Sequence, residues 1–254
     1  MIPARWAMIV VLIACWDAWR LLAGRIDDFT SACLVLVLAG VAGWRFLASK
    51  VTELPGAALA AALAIYAVAC LTGPALLQIA IAAGGLVLVA FRGTALPRLP
   101  MAGLAALLLP VLPTLDFLLA YPLRRLSAVI TVLLLRMNGI DVTLNGIALE
   151  WQGQSLLFDG PCSGVRMLWA ALVLASIVAL AQGQGPLAYL RTMAMATLVA
   201  IGGNALRAAS LFYLENGFVE RLRGPLAHEA IGTLSFVLVA AAVVAMPRVR
   251  TWAS

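Results

Sequence analysis

The 254 residues are 64% hydrophobic and only 11% charged. That balance excludes a soluble globular domain, where apolar usage is nearer half and charge about a quarter. The formal charge of +6 comes with no basic patch interleaved with aromatics, so it does not point to nucleic acid. One histidine and four cysteines, with no CxxC pair among them, do not give the spacing of a zinc site.

Repeated apolar runs near 20 residues are the length needed to cross the hydrocarbon of a bilayer. The first runs from Trp6 to Leu22 behind Arg5. Leu12-Ile13-Ala14-Cys15 resembles a lipoprotein cleavage motif, but Trp16 and Trp19 continue the helical run, and a retained span is expected. The second is Phe29 to Ala48, the third Gly56 to Leu71, and the fourth follows Gly73-Pro74 and ends near Phe91. A fifth is expected from Met101 to Ala120, kinked by Pro110 and Pro113. Tyr121 to Met137 carries Arg124, Arg125 and Arg136 and reads as an amphipathic helix lying at the interface, or else a short ninth crossing.

From Asp141 to Phe158 the period changes to alternation, with Asn145-Gly146 as a tight-turn signal, which predicts a small hairpin outside the bilayer. The sixth span starts near Cys162 and ends near Ala181, the seventh runs from Leu187 to about Leu214, and the eighth from Leu226 to Met246. The expected fold is therefore all-α: a polytopic membrane bundle of about eight transmembrane helices, one interfacial helix and a small extracytoplasmic hairpin. Residues 1–254 read as one integral-membrane domain, with no internal repeat.

With both termini cytoplasmic, eight Lys and Arg residues fall inside and nine outside; setting aside the three arginines of the interfacial helix and Arg166 and Arg207 within spans leaves four outside, so the positive-inside rule favours this orientation. This arrangement brings three chemically capable residues to one outer level. Cys162 opens the sixth span, Arg207 lies 20 residues into the seventh, and His228 opens the eighth. Pro161 fits the first turn of a helix, and Cys162 beside it would meet free backbone N–H groups that favour a thiolate; a small packed residue is the plain alternative. The other cysteines, Cys15, Cys33 and Cys70, sit in apolar runs as small hydrophobes. Arg207 in an apolar span needs a partner or a wet cavity. Its alternatives are a functional role and a structural ion pair with Asp159 or Glu229. Asn204 lies one turn before it, with Gly202 and Gly203 allowing close helix approach. Arg166 is assigned a supporting role, snorkelling or binding a lipid phosphate, and Ser163 is a weaker nucleophile than Cys162. A thiol–imidazole pair with a guanidinium nearby suits nucleophilic attack on a carbonyl.

The sequence resembles the exosortase/archaeosortase family. The residues that carry the resemblance are Cys162-Ser163-Gly164-Val165-Arg166, Asn204-Ala205-Leu206-Arg207, and His228 with Gly232 and Phe236 after it. The hairpin before the cysteine and the multi-span layout agree with it. The resemblance implies a membrane cysteine protease and transpeptidase of the bacterial branch, with Cys162, Arg207 and His228 as the catalytic set and Asn204, Arg166, Ser163 and Gly164 in support. It implies no metal and no cofactor, and no additional soluble domain is expected after the eighth span. The implied substrates are exported proteins ending in a sorting signal: a short motif, often Pro-Glu-Pro (PEP-CTERM), then a transmembrane helix and a basic tail. A membrane lipid or other amine-bearing group is the implied acceptor. The implied location is the inner (cytoplasmic) membrane, with the active site on its extracytoplasmic face. A non-catalytic envelope assembly protein and a transporter with an anion-binding arginine remain the competing classes.

Overall fold

Prolines set the start of several helices in this chain. A proline at the first helical position loses no hydrogen bond, because that N–H has no partner inside the helix. Two of the long helices open in this way, on Pro186 and on Pro225. The computed structural model describes residues 2–23, 53–93, 97–108, 112–157, 164–216 and 225–246. The described helices are α1 (Ala4–Ala14), α2 (Trp16–Ala23), α3 (Gly56–Thr72), α4 (Ala75–Gly93), α5 (Arg98–Leu108), α6 (Leu112–Met137), α7 (Val165–Gln182), α8 (Pro186–Glu215) and α9 (Pro225–Val244). Short strands β1 (Ile2–Pro3) and β2 (Glu53–Leu54) pair antiparallel. Strands β3 (Thr143–Asn145), β4 (Ala148–Trp151) and β5 (Gln154–Leu157) form an antiparallel meander.

The chain divides into two compact units. The first comprises Met1–Val111, Ser176–Tyr189 and Thr251–Ser254. Its core holds Ala7, Val11 and Ala18 of α1 and α2 with Leu59 and Tyr66 of α3 and Ile79, Ala82 and Val89 of α4. Tyr66 also accepts a hydrogen bond from the Ala18 backbone N–H at 3.2 Å. The β1–β2 pairing ties Ile2 to Leu54, so the chain is back at its starting end after the first two expected spans. The second of these, Phe29–Ala48, lies outside the described residues.

The second unit comprises Leu112–Ala175 and Leu190–Arg250. One apolar cluster joins Met167, Leu168, Ala171 and Ala175 of α7 to Ala196 and Ala200 of α8 and Val239 and Val243 of α9. A second cluster seats the meander, through Val142 and Leu149, on Ala128, Val132 and Leu135 of α6 and Ala209 and Phe212 of α8. Trp151 adds an edge contact to Phe212, with ring centroids 5.5 Å apart. Arg136 fastens the base of the meander by donating from Nε and Nη2 to the Val142 carbonyl, at 3.0 and 2.8 Å.

Among the described residues four helices are long and apolar enough to cross a membrane: Thr114–Met137, Val165–Gln182, Pro186–Glu215 and Leu226–Val244. The first of these corrects the expected boundary at Ala120. Residues 121–137 are not a separate interfacial helix; they are the larger part of α6, which carries Pro122 inside it. The reason is a buried stripe of Ser127, Ala128, Thr131 and Leu135 on α6, which gives this arginine-bearing segment a packed face. The described part of α5 ends at Leu108 and α6 begins at Leu112, and Pro110, expected to kink the fifth span, lies outside the described residues.

The expected hairpin is present, with two differences. Asn145 pairs with Ala148, so the first turn is centred on Gly146 and Ile147 rather than on Asn145-Gly146. Gly146 has φ +64°, as a glycine-first hairpin turn requires. The second turn, at Gln152 (φ 49°) and Gly153 (φ 78°), adds the third strand. Positive φ at both central residues is the turn that matches strand twist.

Candidate active site

Every described residue of the expected site belongs to the second unit. The site is built along α8, whose successive faces meet different neighbours. On one face Asn204 is almost fully buried, at 2% exposure. Its Nδ2 donates to Ser127 Oγ of α6 at 3.0 Å. One residue on, the Ala205 carbonyl accepts a hydrogen bond from Thr131 Oγ1, also of α6, at 3.2 Å. Buried polar groups in an apolar span must be bonded in this way, and such interhelical bonds contribute about 0.6 kcal/mol on average in membrane proteins.

The same asparagine lies against the entrance to α7. Gly164 has φ +75°, and a Cβ placed on it would stand 2.8 Å from Cγ and Nδ2 of Asn204. Two independent constraints therefore require glycine here: the left-handed backbone and the absence of space. The Gly164 carbonyl accepts the first helical bond, from Leu168 N–H at 2.9 Å, so Gly164 is the N-cap and α7 begins at Val165. The helix starts three residues later than expected. Gly164 itself is left-handed, so the helical backbone begins only after it. Arg166, in the first turn of α7, is exposed. Cys162 and Ser163, like Asp159 and Pro161, lie outside the described residues.

Another face of α8 meets α9. A Cβ on Gly203 would collide with Val239, so glycine sets the closeness of the two helices there. One turn further along, the half-buried Arg207 lays its guanidinium against α9 at Gly232. A Cβ at Gly232 would be 3.5 Å from Nη2 and 3.6 Å from Nε. His228 is four residues before Gly232, which puts it on the same side of α9, about 6 Å along the axis. The structure thus brings Arg207 and His228 to neighbouring positions on one helix–helix seam.

Glu215 is the residue that sequence reasoning missed. It is the last residue of α8, and its Oε1 lies 3.8 Å from His228 Nδ1. Both side chains are close to half exposed, at 43% and 45%. The available signal was an acid closing one apolar span directly before a histidine opens the next. Ser127 was missed as well, because nothing in the sequence pairs it with Asn204 across 77 positions. Glu229, an expected partner of Arg207 in a structural ion pair, is exposed.

The arrangement provides a guanidinium, an imidazole and a carboxylate along one seam. The backbone leading out of Cys162-Ser163 is packed on Asn204, three residues from that guanidinium. A guanidinium beside an imidazole can stabilise an oxyanion while the imidazole moves a proton. The family model described as transmembrane exosortase (Exosortase_EpsH) matches residues 3–245 of the chain. No curated protein and no solved structure shows significant similarity to it.

Gly164→Ala should destabilise the purified protein by about 1–2 kcal/mol from the backbone conformation alone, with a further loss from the collision with Asn204. Adding Asn204→Ala removes the collision but not the backbone cost. The double variant should therefore unfold at a higher temperature than Gly164→Ala and at a lower one than Asn204→Ala. Identical unfolding of Gly164→Ala and the double variant would show that the packing of Asn204 on Gly164 is not felt.

Proposed function

The chain belongs to the transmembrane exosortase family, and from that premise we propose that it is a cysteine transpeptidase acting on C-terminal sorting signals of exported proteins. The family match covers almost the whole chain, including both compact units, which supports reading it as one functional domain. The observation that carries the chemical assignment is the Arg207 guanidinium seated against Gly232, one turn from His228.

In the proposed reaction the Cys162 thiol gives its proton to the His228 imidazole, and the thiolate attacks the scissile carbonyl. The resulting oxyanion is held by the Arg207 guanidinium, whose paired donors match it better than a lysine ammonium does. Collapse of this intermediate breaks the C–N bond. The imidazolium returns its proton to the leaving amine, and a thioester remains on Cys162. An acceptor amine, on a membrane lipid or another molecule, then attacks the thioester and regenerates the thiol. Asn204 holds the Gly164 backbone, two residues after the nucleophile, and so limits where Cys162 can go. Chain length alone keeps the two α-carbons within about 7 Å.

The apolar helices and the family make the chain a multi-pass membrane protein. We place it in the cytoplasmic membrane with the meander, His228 and Glu215 on the outer side. Taking α6 as the fifth crossing, in place of Met101–Ala120, leaves α5 as the short helix and keeps the number of crossings before the meander unchanged. Single cysteines at Ser155 and at Ser254, in a chain lacking the native four, test this. An impermeant thiol reagent added to intact cells with permeable outer envelopes should label the first and spare the second. The reverse pattern would invert the orientation.

Cys162→Ala and Cys162→Ser should both abolish substrate cleavage at unchanged membrane abundance, whereas replacing Cys15, Cys33 and Cys70 together by alanine should have a modest effect. Arg207→Lys should be nearly as damaging as Arg207→Ala, with a loss on the order of 10²–10³ in rate, as for one oxyanion donor. Arg166→Lys should keep most of the activity. The measurement is unprocessed substrate in cells at matched enzyme levels. Full processing by Cys162→Ala would remove the covalent mechanism and leave a non-catalytic role in envelope assembly. Normal processing by Arg207→Lys with loss in Arg166→Lys would exchange the roles of the two arginines.

A further inference from the structure

We infer that Glu215 is a positioning residue for His228, holding the imidazole with its proton on Nδ1 so that Nε2 is the nitrogen that exchanges protons with the substrate-side groups. This rests on the proposed role of His228 in proton transfer. The carboxylate and the imidazole come from different helices and meet at 3.8 Å, Oε1 to Nδ1. That is within ion-pair range and about 1 Å longer than a hydrogen bond. Both side chains are near half exposure, so a small rotation closes the gap, and catalytic hydrogen bonds commonly tighten only when substrate is bound.

Glu215 is set against the dipole of its own helix, and His228 against that of its own. Glu215 ends α8, where the helix dipole is negative and a carboxylate is disfavoured. His228 stands in the first turn of α9, where the dipole is positive and works against an imidazolium. Each residue is set against its own helix, and the two offset each other. Such a conflict with local preference is expected at functional positions. On the other side of His228 along α9, the guanidinium at Gly232 adds a second positive group. A carboxylate on the Nδ1 side is therefore the group that can stabilise the imidazolium when the thiol proton arrives.

The proton balance is simple. Nδ1–H donates to Glu215 Oε1 throughout, and Glu215 stays ionised. The thiol proton enters at Nε2 and leaves from Nε2 to the amine of the departing peptide. Without Glu215 the neutral ring reverts to the tautomer protonated on Nε2, which free histidine favours and which cannot accept the thiol proton at that nitrogen.

The sequence contains one histidine, so 15N-histidine labelling of the full-length protein in nanodiscs reports this ring alone. At a pH where the ring is neutral, the Nδ1–H tautomer should dominate in the parent protein, and Glu215→Ala should shift the population to Nε2–H. Glu215→Gln and Glu215→Ala should lower the processing rate by about tenfold or more, as a part of what a general base contributes. Neither change should lower the rate further in a His228→Ala background. An unaltered tautomer in Glu215→Ala would overturn the inference whatever happens to activity. A rate loss of the same size in the His228→Ala background would also overturn it, because Glu215 would then act elsewhere. The tautomer measurement needs no substrate. A failure of the nucleophile reading, seen as normal processing by Cys162→Ala, is therefore recognised separately and leaves the pairing of the two residues standing.

Discussion

A primary amide buried inside an apolar helix is costly unless it is bonded, and the second unit is arranged around the bond that the Nδ2 of one such amide makes. Asn204 donates to Ser127, and this fixes its side chain in the space that a Cβ on Gly164 would need. Three segments are joined by that contact: α6 through Ser127, α8 through Asn204, and the backbone entering α7 through Gly164. The neighbouring bond from Thr131 to the Ala205 carbonyl repeats the α6–α8 link. With α8 held on that side, Arg207 faces α9, and the glycines at 203 and 232 let α9 come close enough for the guanidinium to lie on its backbone. Small residues serve the same purpose twice here, allowing one helix to approach another where a polar side chain has to reach across.

The meander follows from the same frame. Val142 and Leu149 pack on α6 and α8, Trp151 meets Phe212, and Arg136 holds the Val142 carbonyl. The meander ends on β5, which pairs with β4, and the described chain resumes at Gly164, packed on Asn204 of α8, the helix that carries Arg207. The polar residues Arg207, His228 and Glu215 lie along the α8–α9 seam, where partial exposure lets charged groups stay hydrated.

Much of this was legible in the sequence because a membrane span has a fixed length. Counting along apolar runs led to the expectation that Arg207 and His228 share one level, and the structure lays the Arg207 guanidinium against Gly232 of α9, four residues after His228. Glycine and asparagine in alternating segments located the meander to within one residue of its first turn. What sequence could not show was which face of a helix meets which neighbour. Ser127 looked like an ordinary residue in an arginine-bearing stretch, so residues 121–137 read as a surface helix, when their Ser127–Ala128–Thr131–Leu135 stripe is buried. The start of α7 was misplaced because Pro161 is a familiar helix opener, while Gly164 is left-handed and lies against a side chain 40 residues away, neither of which shows in the sequence. Glu215 was overlooked for a similar reason: its partner His228 is 13 residues further along the chain, and only the packing of two helix ends brings them to 3.8 Å.

The central claim is that Cys162 carries the substrate as a thioester between cleavage and transfer. Its most direct test is to trap that species in membranes from cells expressing a sorting-signal substrate, under acid quench. The Cys162 peptide is then analysed by mass spectrometry before and after treatment with hydroxylamine. The account predicts the new carboxyl end of the substrate attached to the Cys162 sulfur and released by hydroxylamine as the hydroxamate. Substrate linked to any other residue, or cleavage with no covalent species on Cys162 at any time point, would contradict it.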